Sequence, residues 1–165
     1  MTSIKSSGAP LVCWDIYGSF LQEQATHTGK KSDLELLAEL KQKHHWDIDF
    51  HALLKNSFYD ALVLTNLNQE IIWASKGFKK MTGYSIKSIV GKKPKFLQGK
   101  ETSPDTLSFI RQNIQQGNAF STQLINYRKN GETYLCEINI APIKNKQNQI
   151  THFIALENER PLHRK

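Results

Sequence analysis

Three runs in the second half of the chain, Phe120 to Arg128, Thr133 to Ile143 and Ile150 to Glu157, alternate in polarity from one residue to the next, the period of a β-strand. Alternation assigns Leu124, Asn126, Cys136, Ile138, Ile140, Phe153, Ala155 and Glu157 to one face. Ile125, Tyr127, Leu135, Ile154 and Leu156 fall on the other. That second set is too apolar to be left in water. A sheet made from these strands needs cover on both sides, and the rest of the chain has to supply it.

Asn130-Gly131 joins the first two runs and reads as a favoured two-residue hairpin turn. Lys144 to Gln149 joins the second pair. Upstream, Ala61 to Thr65 and Glu70 to Ala74 are β-branched and apolar, separated by Asn66-Leu67-Asn68-Gln69, another hairpin signal. Between the two groups of strands the period becomes helical. Ser75 to Thr82 is a short helix stopped by Gly83, and Ser85 to Val90 is a further turn. Ser103-Pro104-Asp105 is a strong helix start, with Leu107, Ile110 and Ile114 on one face and Gly117 as the stop. This order predicts an α+β fold: a five-stranded antiparallel sheet with short helices on one face.

The N-terminal third predicts a helical extension. Ser32-Asp33-Leu34-Glu35 has the form of a capping box, and Leu34, Leu37 and Leu40 follow as an apolar stripe. This helix is expected to end between His44 and Trp46, and a second one, begun by Asp47, carries Phe50, Leu53 and Leu54. Leu11 to Leu21 is unusually aromatic and reads as a short docking helix. The expected division is 1–56 as a helical cap and dimerisation extension, 57–158 as the folded domain and 159–165 as a polar tail. Either the helices at 34–54 or a second copy of the chain is expected to cover the outer sheet face.

The 165 residues carry a net charge of +7, from lysines scattered as small clusters. No helix-turn-helix or zinc-finger pattern accompanies them, so nucleic acid is not an expected partner. Cys13 and Cys136 have no metal-ligand spacing and suggest no disulfide, which fits a reducing cytoplasm. No run approaches ~18 apolar residues and no signal peptide is evident, so neither a membrane span nor export is expected. His44 and His45 are adjacent and point apart, a poor metal pair. No nucleophile–base–acid set or phosphate loop emerges, so the chain is not expected to be an enzyme.

Three stretches carry a resemblance to a known family. Phe78-Lys79-Lys80-Met81-Thr82-Gly83-Tyr84-Ser85 and Asn126-Tyr127-Arg128-Lys129-Asn130-Gly131 are similar to segments shared by many PAS domains. Gly91-Lys92-Lys93-Pro94-Lys95-Phe96-Leu97-Gln98-Gly99 resembles the flavin-cradle motif of the LOV (light, oxygen, voltage) subclass. That motif reads roughly Gly-Arg-Asn-Cys-Arg-Phe-Leu-Gln-Gly, and its cysteine forms a light-driven adduct with the flavin. The resemblance covers about residues 57 to 158. It implies flavin contacts at Lys95, Gln98, Arg111 and Asn126, with Lys95 standing for an arginine. Cys136 stands where the family has a second asparagine, and Glu157 where it has a glutamine whose flip relays the light signal. Lys93 replaces an asparagine, and Pro94 replaces the cysteine itself.

With no thiol at the position of Pro94, the resemblance implies a non-catalytic PAS sensory and protein-interaction module, LOV-like but without adduct photochemistry. The alternative is a flavin-binding sensor that forms no adduct. The cofactor is accordingly none, or a flavin (FMN or FAD). Lys93 or Lys95 is expected to pair with a buried Glu157 and fill the pocket; otherwise Glu157 anchors a small ligand. Partners are expected to be a second copy, through the outer sheet face and N-terminal helices, and a separate signalling protein.

Overall fold

A computed structural model describes residues 33–162. The expected helix at Leu11 to Leu21, and Ser32 of the capping box, lie outside the described residues. Helix α1 occupies residues 33–44. His45 closes it in the left-handed region (φ 54°), and Trp46 then makes an isolated antiparallel bridge with Asn145. Helix α2 spans Phe50–Lys55; its cap is Asp49, whose carboxylate accepts from the backbone N–H of Ala52, two residues later than the sequence suggests.

The sheet contains β1 (Ala61–Asn66), β2 (Ile71–Ala74), β3 (Phe120–Tyr127), β4 (Thr133–Lys144) and β5 (Ile150–Arg160). The spatial order is β2-β1-β5-β4-β3, with antiparallel neighbours throughout. β5 lies at the centre and runs three residues past Glu157, pairing Arg160 with Leu135. Between β2 and β3 come α3 (Lys76–Thr82), α4 (Ile86–Ile89), a 3-10 turn at Pro94–Leu97 and α5 (Pro104–Gln116). Ser103 caps α5 through its hydroxyl, and Gly117 ends it with φ 70°, as the sequence predicts.

The turn at Asn130-Gly131 differs from the expected two-residue form, and all three hairpin turns share one geometry. In each, three residues form the loop and the last of them is left-handed: Gln69 (φ 64°), Gly131 (φ 87°) and Asn148 (φ 61°). Backbone bonds close each loop on both sides, for example Arg128 N–H to Glu132 O and Gly131 N–H to Arg128 O. This is a type I turn followed by a left-handed residue. The preceding asparagines Asn66 and Asn145 brace two of these turns, each accepting from the backbone N–H four residues on.

Both sheet faces are covered. One apolar cluster joins Val63, Phe78, Met81, Leu97, Leu124 and Ile138 under α3 to α5. The other joins Leu62, Leu64, Ile143, Ile154 and Leu156 to Leu37, Phe50 and Leu54 of the N-terminal helices and to Trp46 between them. The cover over β1, β5 and the far end of β4 is thus supplied within the same chain. Ile125 and Leu135, on the β3–β4 side, remain half-buried.

The three motif stretches meet in space. The Arg128 guanidinium donates to the Met81 carbonyl and to Glu159, and lies 4.6 Å over the Tyr134 ring. Lys129 N–H donates to the Thr82 carbonyl at 2.9 Å. Gly99 lies so close to Tyr127 that a Cβ there would come within 2.5 Å of the ring.

Candidate functional site

α5 is amphipathic, yet none of its residues is fully buried. Its apolar face looks into a cavity of about 470 Å³ between the helices and the sheet. The volume falls within the roughly 300–1,000 Å³ of small-molecule sites. The sheet wall is made by Val63, Thr65, Leu124, Asn126, Ile138, Ile140, Phe153, Ala155 and Glu157. The helical wall is made by Lys93, Pro94, Lys95, Leu97 and Gln98, and by Leu107, Ile110, Arg111 and Ile114 of α5. Gln69, held in its left-handed turn, also lines the space.

Polarity is divided between these walls. The cations Lys93, Lys95 and Arg111 are exposed, at the rim of the helical wall. The sheet wall carries two buried polar side chains, Asn126 (5% exposed) and Glu157 (7%). Glu157 Oε2 is sealed from solvent and has no hydrogen-bond partner, whereas the Asn126 side chain lies opposite Tyr134 across β3 and β4 and interacts with its hydroxyl. An unpaired buried polar atom costs about 1–3 kcal/mol. Burial raises the Glu157 carboxyl to about 7.

Five of the six residues singled out from the sequence, Lys95, Gln98, Arg111, Asn126 and Glu157, line this one cavity. Cys136 does not. It is fully buried in the core beneath the sheet wall, on β4. Its sulfur is 3.9 Å from the Glu137 carbonyl. Burial, followed by the nearby Glu157, pushes its thiol far above the usual range. A thiol so placed is inert as a nucleophile.

The expected pairing of Glu157 with Lys93 or Lys95 is absent. Among the described residues the ion pairs join Arg128 to Glu132 and Glu159, and Arg160 to Glu137. Both lysines keep their charges in water, which costs less than drawing an ammonium into an apolar space. The pocket is therefore open rather than self-filled. Tyr134, which alternation places on the same face as Cys136, adds a buried hydroxyl beside Asn126. The alternation already pointed to it. Gln69 carried no such signal, because its place depends on the turn.

A family model described as PAS domain matches residues 60–159. The chain belongs to the PAS family. Phototropin-1A of Oryza sativa subsp. japonica is 38% identical over 95 residues, covering 58% of this chain and 10% of that protein. The nitrogen fixation regulatory protein of Klebsiella oxytoca is 31% identical over 99 residues, 60% of this chain and 20% of that one. The dark structure of the blue-light photoreceptor Aureochrome1 LOV superposes with a TM-score of 0.63 at 30% identity, over 70% of this chain and 86% of that one. The chain spans about a tenth of the length of the rice phototropins it matches. This PAS domain is LOV-like, and Pro94, at the start of its 3-10 turn, lines the cavity.

Proposed function

We propose that this PAS domain is a non-catalytic, cytoplasmic sensory module that holds a planar ligand with an anionic tail, a flavin first among candidates, without forming a cysteinyl adduct. The observation that carries the reading is the cavity: apolar under α5, rimmed by Lys93, Lys95 and Arg111, and backed on the sheet by Asn126 and Glu157. The residues present fit a flavin. Lys95 and Arg111 would hold its phosphate, and Gln98, Asn126 and Glu157 would meet its ring. A flavin bound there would supply visible absorption and one- or two-electron redox chemistry.

Glu157 stands where the resemblance places a glutamine, and an ionised carboxylate there could accept hydrogen bonds but not donate them. Burial changes that. A carboxyl that stays protonated up to about pH 7 offers one O–H donor and one carbonyl acceptor, the same pair as glutamine. Among the described residues no thiol lines the cavity, so light would leave no carbon–sulfur bond with them. Residues 57–158 would form the sensing unit and 1–56 its cap. Output would pass through the cap and the half-buried Ile125 and Leu135, to a second copy or a separate protein.

An absorption spectrum after purification, and again after refolding with excess FMN or FAD, tests the reading. A flavin spectrum that shows no adduct-type bleaching and recovery under blue light is expected. A colourless protein that takes up neither flavin would end it.

A further inference from the structure

We propose that the helical face of the domain docks on an anionic lipid surface, with lysines of α3, α4 and the turn after them against the headgroups and Val90 inserted between. The inference is independent of what the cavity holds.

Residues 76–100 contain eight lysines, no arginine and no acidic residue. All eight lysines are exposed. A shared core explains why they belong to one surface. Phe78 and Met81 of α3, Ile89 of α4 and Leu97 of the 3-10 turn enter the same apolar cluster, α3 touches α4, and α4 touches β2. Lys79, Lys80, Lys87 and Lys92 lie between those inward residues in the chain and face solvent instead. Among the described residues none of the eight is in an ion pair. The cap is built differently, with six acids and three lysines interspersed over residues 33–60. Cations gathered without acids repel one another and destabilise the fold. A polyanion laid against them relieves that repulsion.

Two features select the kind of polyanion. The stretch has no guanidinium fork for a base edge and no exposed ring for a base to stack on. Phe78 is buried, and Tyr84 and Phe96 are half-buried, packed edge to face at 4.9 Å. Ammonium groups on flexible stems need only a negative surface. The second feature is Val90, 49% exposed directly after α4, with Lys87 before it and Lys92 after it. Gly91 beside it has φ 82°, and a Cβ there would meet nothing within 4 Å, so this corner stands clear of the layer. An apolar tip flanked by cations matches the boundary between lipid headgroups and acyl chains.

Sedimentation of the full chain with lipid vesicles tests the assignment. Vesicles of equal parts phosphatidylserine and phosphatidylcholine should carry it down, and vesicles of phosphatidylcholine alone should not. Raising the salt from about 0.1 M to about 1 M should release it. Lys87→Gln should weaken binding about fivefold, and Val90→Ser about threefold. Reversing four charges together, by Lys79→Glu, Lys80→Glu, Lys87→Glu and Lys92→Glu, should abolish it while leaving Lys93 and Lys95 at the cavity rim. These positions are exposed, so the variants should keep the fold, read as an unchanged circular dichroism spectrum. Equal binding to both kinds of vesicle, retention by the fourfold variant, or failure of wild type to sediment overturns the proposal. So does tighter binding to duplex DNA that Val90→Ser leaves unchanged, which would give the same lysines to a nucleic-acid backbone.

Discussion

Glu157 is the residue in which the largest physical conflict is concentrated. Its carboxyl is desolvated, raised to about 7, and unpartnered at one oxygen. The usual value, 4.5, applies in the unfolded chain. The folded state therefore holds the proton more tightly, and stability present below pH 4.5 is lost as the pH rises through 7. Glu157→Gln keeps the shape and removes the titration. The variant should be more stable than wild type above neutrality, by on the order of 1–3 kcal/mol, and equal to it near pH ~4.5. Urea unfolding at a series of pH values reads the difference directly; parallel curves for the two proteins would contradict the assignment.

Among the elements, α3 rests on β1 through a glycine. A Cβ at Gly77 would overlap the carbonyl oxygen of Asp60. In an exposed helix, glycine to alanine gains about 1 kcal/mol. Here the clash is with backbone and must move the helix, a cost of about 1–3 kcal/mol. Gly77→Ala should therefore lower stability, by up to about 2 kcal/mol net, measured as a shift of the denaturation midpoint; a gain would show that α3 rides freely over β1. The same scale shows what could be read in advance. Strand alternation placed Asn126 and Glu157 on the cavity side because the period of two is strict. The apolar stripe Leu107, Ile110 and Ile114 was equally legible, but amphipathicity cannot distinguish a helix packed on side chains from one that roofs a ligand space. The hairpin at Asn130-Gly131 was placed correctly and typed wrongly. Only Gly131 is left-handed, and a two-residue type I′ turn would have required Asn130 to be so too. The self-filled pocket failed for a different reason: chain spacing does not reveal that Lys93 and Lys95 lie at a solvated rim.

At the scale of the whole molecule, the cap is bound to the back of the sheet through Trp46. The Trp46 indole N–H donates to His152 Nδ1 at 3.0 Å, and the Trp46 ring stacks on His44 at 4.9 Å. That nitrogen can accept only while His152 is neutral. Burial, then the neighbouring His44, lowers His152 to about 4 from the usual 6.5. The contribution is present above pH 6.5 and lost as the pH falls through 4. Acidification across that window should loosen the cap and uncover Leu62, Leu64, Ile154 and Leu156. Increasing binding of a hydrophobic dye, blunted in His152→Phe, is the expected result; dye binding unchanged down to pH 4 would argue that the cap is held independently of His152.

Cap and cavity share a strand. On β5, Glu157 faces the cavity, while Leu156 packs under the cap and Asn158 donates to the Phe58 carbonyl in the segment joining α2 to β1. Adjacent residues of one extended chain thus face opposite compartments. Detection and report are separated by the thickness of a single sheet, so a change of partner at one side chain needs no relay of intermediates to be felt by the next.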